Sequence, residues 1–161
     1  MYEEYTIELA NNLLAVNNNS GIEAFARFYN LNQDECRTAH VHLIRALTAA
    51  ANGDFQRFDN IANAYLQGVR PISAMGRITL SVAPCSIAGM WVGVVNALSH
   101  ETSYIGICKN CGKPFIAEKA RSHKREFCNN DGKCRKAWHY KQSKEKRKEQ
   151  KFASAAHHPM V

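Results

Sequence analysis

Four cysteines in the last third of the chain have the type and spacing of metal ligands. They form two pairs, Cys108-x2-Cys111 and Cys128-x5-Cys134, with sixteen residues between Cys111 and Cys128. A Cys-x-x-Cys turn directs two sulfurs toward one point, and a second pair completes the tetrahedron of thiolates that zinc prefers. Four cysteine ligands leave no open coordination position, so the pattern predicts one structural Zn²⁺ rather than a catalytic one. Replacement of one cysteine by a nearby histidine, His123 or His139, stays open.

The surroundings of these cysteines favour metal binding over disulfide formation or thiol redox chemistry. No thioredoxin-like strand–helix–strand pattern surrounds the Cys-x-x-Cys turn. The first residues, Met1 to Glu4, have neither the basic nor the apolar segment of a secretory signal, so we expect a cytoplasmic protein with reduced thiols. The two remaining cysteines, Cys36 and Cys85, lie in apolar patterns and are predicted to pack in the core.

Basic residues are concentrated around and after the metal-type cysteines. Residues 1–107 contain six arginines, no lysine and nine acidic residues, for a net charge of −3. Residues 108–151 contain fifteen lysines and arginines and five acidic residues, for a net charge of +10. This asymmetry predicts a body that carries a polyanion-binding module. The candidate nucleic-acid contacts are Lys113, Lys119, Arg121, Lys124, Arg125, Arg135, Lys136, Lys141, Lys144, Arg147 and Lys148.

The segment that contains the last cysteine is predicted to be a helix from about Lys133. No apolar residue occurs between Lys141 and Lys151, so this part must project into solvent or onto a partner. Phosphates suit such a cationic helix, which favours DNA as the partner. The aromatic residues Trp138 and Tyr140 could instead stack on unpaired bases, which keeps RNA and single strands open. A solvated charged helix without a partner is the simpler alternative.

The first hundred residues carry helical patterns separated by turn signals. Four helices are predicted: Glu3 to Val16, a short one containing Ile22 to Tyr29, one capped by Asn32 that ends near Asn52, and one capped by Asp54 that ends before Gly68. In the last of these, Phe55, Phe58 and Tyr65 are predicted to face inward. Neither catalytic motifs nor a phosphate-binding glycine loop occurs, so we expect no enzyme activity.

An uncharged stretch from Ile78 to Leu98 is long enough to cross a bilayer. Its first part alternates apolar and polar residues and is followed by Pro84, which predicts a strand; the remaining apolar run is too short to span. We therefore expect a buried strand and a buried helix, and no membrane partner. A second strand is predicted from Tyr104 to Ile107, directly before the first cysteine.

The cysteine-rich segment resembles the CGNR-type zinc finger. The resemblance lies in Cys108-Lys-Asn-Cys111-Gly-Lys-Pro-Phe115, in Phe127-Cys128, and in Cys134-Arg-Lys-Ala, which stands where the family has Cys-Gly-Asn-Arg. In bacterial proteins described as stress-induced transcription regulators, this finger follows a mostly helical ABATE domain. The resemblance covers about forty residues well and the rest only in layout. It implies a bacterial transcription regulator that binds DNA.

These observations predict a mainly α (α+β) protein in three parts. Residues 1–104 form a helical body with a short strand pair, residues 105–151 form a four-cysteine zinc finger with a basic helix, and residues 152–161 form a flexible tail. A homodimer through the helical body fits this layout. The predicted function is nucleic-acid binding, with DNA favoured. The alternatives are a zinc-stabilised protein-interaction adaptor and an RNA-binding protein without sequence-specific DNA recognition.

Overall fold

Helices make up most of the chain, and the strands form two separate hairpins. The computed structural model describes residues 2–74, 77–81, 86–99, 103–118, 124–128 and 132–156, with side chains for 7–70 and for the described residues between 86 and 150. Within these ranges the elements are α1 (Tyr2–Ala15), α2 (Asn19–Phe28), α3 (Gln33–Ala51), α4 (Phe55–Leu66), β1 (Arg70–Ala74), β2 (Arg77–Ser81), α5 (Ile87–Ser99), β3 (Ser103–Ile107), β4 (Pro114–Glu118) and α6 (Lys133–Ala156). The predicted mainly helical α+β class is confirmed.

Short polar side chains fix where the helices of the body begin. Asn32 accepts hydrogen bonds from the backbone amides two and three residues further on, at 2.9 and 3.1 Å, and so caps α3. Asp54 caps α4 in the same way, through the amide three residues further on. Both predicted caps are confirmed. Asn18 caps α2 in the same way, and α2 begins at Asn19, three residues before the predicted start at Ile22.

The core of the body lies around α3, which contacts α1, α2, α4 and α5. Leu43 and Leu47 of α3 are fully buried, as is Trp91 of α5. The Tyr65 ring of α4 stacks on the Trp91 ring with centroids 5.1 Å apart. Cys36 is also fully buried, which confirms its predicted place in the core, and burial raises the pKa of its thiol. Cys85 lies outside the described residues.

The prediction that Phe55 faces the core is wrong. Its side chain is 62% exposed, whereas Phe58 and Ala62 on the same helix are buried. Phe55 is the first residue of α4, one turn before the core contacts of the helix begin. Helical spacing therefore gave the correct face of α4 but could not show where along the helix burial starts.

The two predicted strands are confirmed, but each pairs with a neighbour in sequence that was not predicted. In the described part of the chain, β2 pairs antiparallel with β1, and β3 pairs antiparallel with β4. The predicted strand pair is therefore two hairpins. No helix in the described ranges is long and apolar enough to cross a bilayer; the apolar helix α5 has 13 residues.

The hairpin of β3 and β4 packs on the helical body. Ile116 of β4 is 1% exposed and belongs to the same core cluster as the helices. Asn11 of α1 binds its backbone twice, since the side-chain amide donates to the Ile116 carbonyl (3.1 Å) and Oδ1 accepts from the Ile116 amide (3.2 Å). Gly106 of β3 leaves room for the Phe115 ring, because a Cβ there would lie 2.5 Å from the ring. The hairpin thus fixes the cysteines that follow β3 relative to the body.

The described elements cross the predicted boundaries at both ends of the cysteine-rich segment. The predicted boundary at residue 104 falls inside β3, and α6 continues to Ala156 beyond the predicted start of the tail at residue 152. The division into domains stays a prediction. Residues 157–161 lie outside the described part.

Replacement of Ile116 by alanine tests whether the hairpin is part of the body's core. We expect the free energy of unfolding to fall by about 2–5 kcal/mol, because the substitution leaves a cavity among buried side chains. Urea unfolding followed by the helical circular dichroism signal measures the change. Val41→Ala, at a position 41% exposed, is the control and should shift stability by less than about 0.5 kcal/mol. Equal stability of the two variants would show that the hairpin unfolds without the body.

Candidate metal centre

The turn between β3 and β4 presents the first two cysteines. Cys108 follows β3 directly, and its carbonyl accepts a hydrogen bond from the amide of Gly112 at 2.9 Å. The Cys108 amide donates to the Lys113 carbonyl at 2.9 Å and continues the hairpin. Gly112 has a φ of 70°, which a residue with a side chain adopts only with strain. The tight turn brings the sulfur of Cys111 back toward that of Cys108.

The other two cysteines come from a loop and from the start of α6. The loop before Cys128 is held against the first turn, because the Lys109 amide donates to the Glu126 carbonyl at 3.1 Å. Cys134 is the second residue of α6, whose first turn is closed by the Lys136 amide donating to the Gly132 carbonyl at 2.8 Å. Three chain segments therefore converge on one point.

The four sulfurs have the spacing of a tetrahedral metal site. All four Sγ atoms lie within 4.8 Å of one another. Both Cys111–Cys128 and Cys128–Cys134 have sulfurs 3.6 Å apart. In a tetrahedron with metal–sulfur bonds of about 2.3 Å the sulfurs are about 3.8 Å apart, so the donor set fits one ion. These four residues form a cluster that can hold a metal ion.

The predicted histidine alternatives do not enter this cluster in the part of the chain that the structure describes. The group of side chains close enough to share an ion contains four cysteines and no histidine. His139 is exposed on α6, with its ring 5.1 Å from that of Trp138. His123 lies outside the described residues. The cysteine set is sufficient by itself for tetrahedral coordination.

The electrostatics of the four thiols favour a bound cation. Burial acts to raise the pKa of Cys108, but hydrogen bonds from the backbone amides of Cys111, Cys128 and Asn110 outweigh it and lower that pKa to about 6. Burial raises the pKa values of Cys111 and Cys128, and the neighbouring Cys108 raises both further. Several thiolates so close together repel one another, and a divalent cation at the centre removes this repulsion.

A small aromatic cluster supports the cysteines. Phe115 and Phe127 are buried together with Cys108. Trp138 of α6 is half-buried and meets the Phe127 ring edge-on, with centroids 6.0 Å apart. Arg125 joins the two sides, since its guanidinium lies 5.3 Å from the Phe115 ring centroid and its Nε donates to the Phe127 carbonyl at 2.6 Å. Trp138 thus fixes the first turns of α6 beside the candidate metal.

Lys113 connects the metal turn to the end of α1. Its ammonium donates to the carbonyls of Val16 (2.8 Å) and Leu14 (3.3 Å) and to Oδ1 of Asn17 (2.7 Å). A cation at a helix C-terminus is favoured by the helix dipole as well as by the hydrogen bonds. All three ammonium hydrogens have acceptors in the body, so we leave Lys113 out of the proposed nucleic-acid surface. Arg125 is left out of this surface as well, because its guanidinium contacts the Phe115 ring and the Phe127 carbonyl.

The remaining predicted contact residues fall into two groups. Lys119 and Arg121 lie outside the described part. The others are exposed: Lys124, Arg135, Lys136, Lys141, Lys144, Arg147 and Lys148. Within the described ranges none of these forms an ion pair, because the two ion pairs there are Arg37–Asp34 and Lys109–Glu126.

Sequence reasoning missed a structural role for Lys109. This residue lies between the first two cysteines, pairs with Glu126, and has its ammonium 5.9 Å from the centroid of the Trp138 ring. It therefore links the metal turn, the loop before the third cysteine and α6. The pairing could not be read from the sequence, because seventeen residues separate the partners. The position of Lys109 between Cys108 and Cys111 was the one feature of the sequence that could have indicated a role at the metal centre.

The fold and site define a mainly helical chain with a four-cysteine candidate metal centre and an exposed basic helix. No protein-family model matches the chain, and no curated protein matches it. The resemblance to the CGNR-type finger therefore stays a prediction, carried by the Cys108-x2-Cys111 pair and by Phe115 and Phe127, with one more residue between Cys128 and Cys134 than the family has. Both aromatic residues pack beside the cysteines in this structure.

Replacement of Cys134 by serine tests the ligand set. We expect the bound metal to fall from one ion per chain to substoichiometric levels, because serine is a poor replacement for a thiolate at a zinc-type site. Elemental analysis of the purified, metal-replete protein measures it. Cys36→Ala, at a buried position away from the cluster, should keep the full metal content. Unchanged metal content in Cys134→Ser would contradict the four-cysteine assignment.

Replacement of Lys113 by methionine tests the connection between the metal turn and α1. We expect the free energy of unfolding to fall by about 1–3 kcal/mol, because three charge-assisted hydrogen bonds are lost and two backbone carbonyls lose a partner. Metal content should not change. The control is Lys124→Met, which removes an exposed ammonium from the loop before the third cysteine. Equal stability of the two variants, measured by urea unfolding, would contradict the proposed connection.

Proposed function

We propose that the four cysteines hold one structural zinc ion and that the anchored helix α6 binds nucleic acid, with duplex DNA favoured. Four thiolates within tetrahedral reach form a donor set that zinc prefers and that leaves no open position for a substrate. The role of the metal is then to fix the start of α6, since Cys134 lies in its first turn. A closed four-cysteine site supports a structural role for the metal, and binding is the function that we propose for this segment.

The distribution of charge around α6 carries the proposal. At about 3.6 residues per turn, Trp138, Gln142, Glu145 and Glu149 share one side of the helix, called here the inner face. Lys136, Tyr140, Lys144 and Arg147 share the opposite side, called here the outer face. Trp138 and Gln142 are half-buried, whereas every residue of the outer face is exposed. The outer face contains three cations and no acidic residue.

A helix that is charged only for solubility would mix its signs. Lysine and glutamate four residues apart on one face stabilise an isolated helix by about 0.2–0.5 kcal/mol per pair, and such mixing also avoids repulsion between like charges. On α6 the acidic side chains Glu145 and Glu149 lie on the inner face, three or four residues from Lys141, Lys146 and Lys148 on the sides of the helix but away from the outer-face cations. Neither forms an ion pair in the described part of the chain. This separation leaves like charges together on the outer face, and a polyanion such as nucleic acid offsets their repulsion.

Duplex DNA is favoured over single strands because Trp138 is held by a contact within the protein and is not free to stack on bases. Trp138 packs against Phe127 and is half-buried, so it does not offer a free ring face for stacking on bases. Tyr140 is 70% exposed but stands among the outer-face cations without a second exposed aromatic on that face. Single-stranded nucleic acids are bound by successive aromatic platforms. The resemblance to the CGNR-type finger supports the same choice and adds transcription regulation in a bacterium to the proposal.

A salt titration tests this function. We expect the full chain to bind mixed-sequence duplex DNA at low salt, with log affinity falling as log salt rises by about 0.9 per phosphate contact. Fluorescence anisotropy with labelled duplex, single-stranded RNA and an acidic protein measures the preference. Stronger binding to RNA would favour the RNA-binding alternative, and binding to the acidic protein alone would favour the adaptor. Failure to bind any nucleic acid at low salt would contradict the proposal.

Substitution of outer-face cations identifies the surface used. Lys144→Gln with Arg147→Gln should weaken binding to duplex DNA, because two positively charged contacts with the nucleic acid are lost. Metal content and helical signal should stay unchanged, since both positions are exposed. Arg37→Gln with Arg57→Gln, which removes two positive charges from the helical body, is the matched control. An equal loss of duplex affinity in the two double variants would show that the overall charge, and not the outer face of α6, determines binding.

A further inference from the structure

We propose that α6 lies in the major groove of B-form DNA, with its outer face toward the base edges and its two sides toward the two phosphate backbones. This inference rests on the proposed nucleic-acid function and specifies the partner and the orientation. It concerns the same helix but depends on a different observation, namely that cations occupy three sides of α6 and not one.

The two sides between the inner and outer faces each carry positive charge. Lys141 and Lys148, seven residues apart, lie on one side, called here the first flank. Lys146 lies on the other, called here the second flank, with the ring of His139 seven residues before it. All four side chains are exposed. At about 100° per residue, each flank lies roughly a quarter turn from the outer face.

Cations on three sides of α6 suit a helix that lies inside a groove of the duplex better than one that lies across a phosphate backbone. A helix that crosses the backbone of a duplex meets phosphates on one side and needs cations on that side alone. A helix inside a groove meets one strand on each flank and base edges below it, so it needs donors on three sides. The fourth side of α6 is the inner face, where Glu145 and Glu149 are kept from phosphates by the width of the helix.

The dimensions of the grooves decide which one is occupied. With its side chains a helix is about 10–12 Å across, the major groove of B-form DNA is about 12 Å wide, and the minor groove is about 6 Å wide. The major groove of A-form RNA is too deep and narrow for side chains to read. With 24 residues, α6 is about 36 Å long, and the seven residues between its flank positions span about 10 Å. Of these grooves, the B-form major groove is the one wide enough for the helix.

The attachment of α6 leaves this approach open. The helix is held to the rest of the chain by Cys134 and Trp138, and Trp138 belongs to the inner face. The outer face therefore points away from the metal centre and away from the aromatic cluster that supports it. Its residues match the chemistry of base edges, since Arg147 has the two-pronged donor geometry for guanine and Tyr140 offers both a hydroxyl and an apolar ring.

Methylation protection on a bound duplex tests the groove directly. Dimethyl sulfate modifies guanine N7 in the major groove and adenine N3 in the minor groove. With a mixed-sequence duplex of about 30 base pairs, roughly three helical turns, we expect protection of guanine N7 and none of adenine N3. Methyl green, which occupies the major groove, should displace the full metal-loaded chain, whereas netropsin, which occupies the minor groove, should not.

Three single substitutions test the orientation. Lys148→Gln on the first flank and Lys146→Gln on the second should each lower the salt slope by about 0.9, because each removes one phosphate contact on a different strand. Glu149→Gln on the inner face, the matched control, should leave the slope unchanged. All three positions are exposed, and circular dichroism should show equal helicity.

The outcomes separate this inference from the function it rests on. Binding to duplex DNA with protection of adenine N3, or with an effect from only one flank, would overturn the major-groove placement and leave DNA binding intact. An effect of Glu149→Gln as large as that of the flanks would overturn the orientation. Absence of binding to the duplex at low salt would overturn the proposed function itself. Protection of guanine N7 with equal effects from both flanks supports the placement.

Discussion

The convergence of four cysteine sulfurs on one point is the constraint on which the rest of the structure depends. Sulfurs 3.6 Å apart are stable as thiolates only if a cation lies among them, and backbone amides already direct partial positive charge at Cys108. The β3–β4 turn, the loop before Cys128 and the start of α6 also meet through the Lys109–Glu126 pair and through Lys109 beside the Trp138 ring. The small aromatic cluster around Phe115 and Phe127 buries the cysteines on one side.

This centre is not attached to the body by a flexible linker. Ile116 belongs to the core of the helices, Asn11 pairs with its backbone, and Lys113 binds the end of α1. Metal binding and body stability are therefore linked, since any ligand that binds the native state alone stabilises everything that unfolds with it. The same contacts set the direction in which α6 leaves the molecule. A helix fixed at one end in this way loses little further orientational freedom when it binds a partner.

The sequence was informative wherever local chemistry decides the structure. The caps Asn32 and Asp54, the start of α6 and the four-cysteine cluster all follow from residue type and spacing over short distances. Contacts between distant segments were not predictable: Lys113 reads as one more basic residue, and its pairing with α1 spans about a hundred positions. Strands β1 and β4 were missed because each has a proline within its first two residues, and proline argues against a strand. Phe55 was wrongly predicted to be buried, because periodicity shows which face of a helix points inward but not whether its first turn reaches the core.

The arrangement of charge on α6, more than the total charge of the chain, favours one orientation of the helix toward a polyanion. A net charge of +7 attracts polyanions to any part of the surface, and it specifies neither orientation nor register. With the acidic residues confined to the inner face, rotating α6 about its axis changes its interaction with phosphates, so one orientation is favoured. The inner face is also the one that Trp138 holds against Phe127. Under the proposed function, the metal and the aromatic contact would determine which side of the helix a nucleic acid meets, and the ion would control binding without contacting the bases.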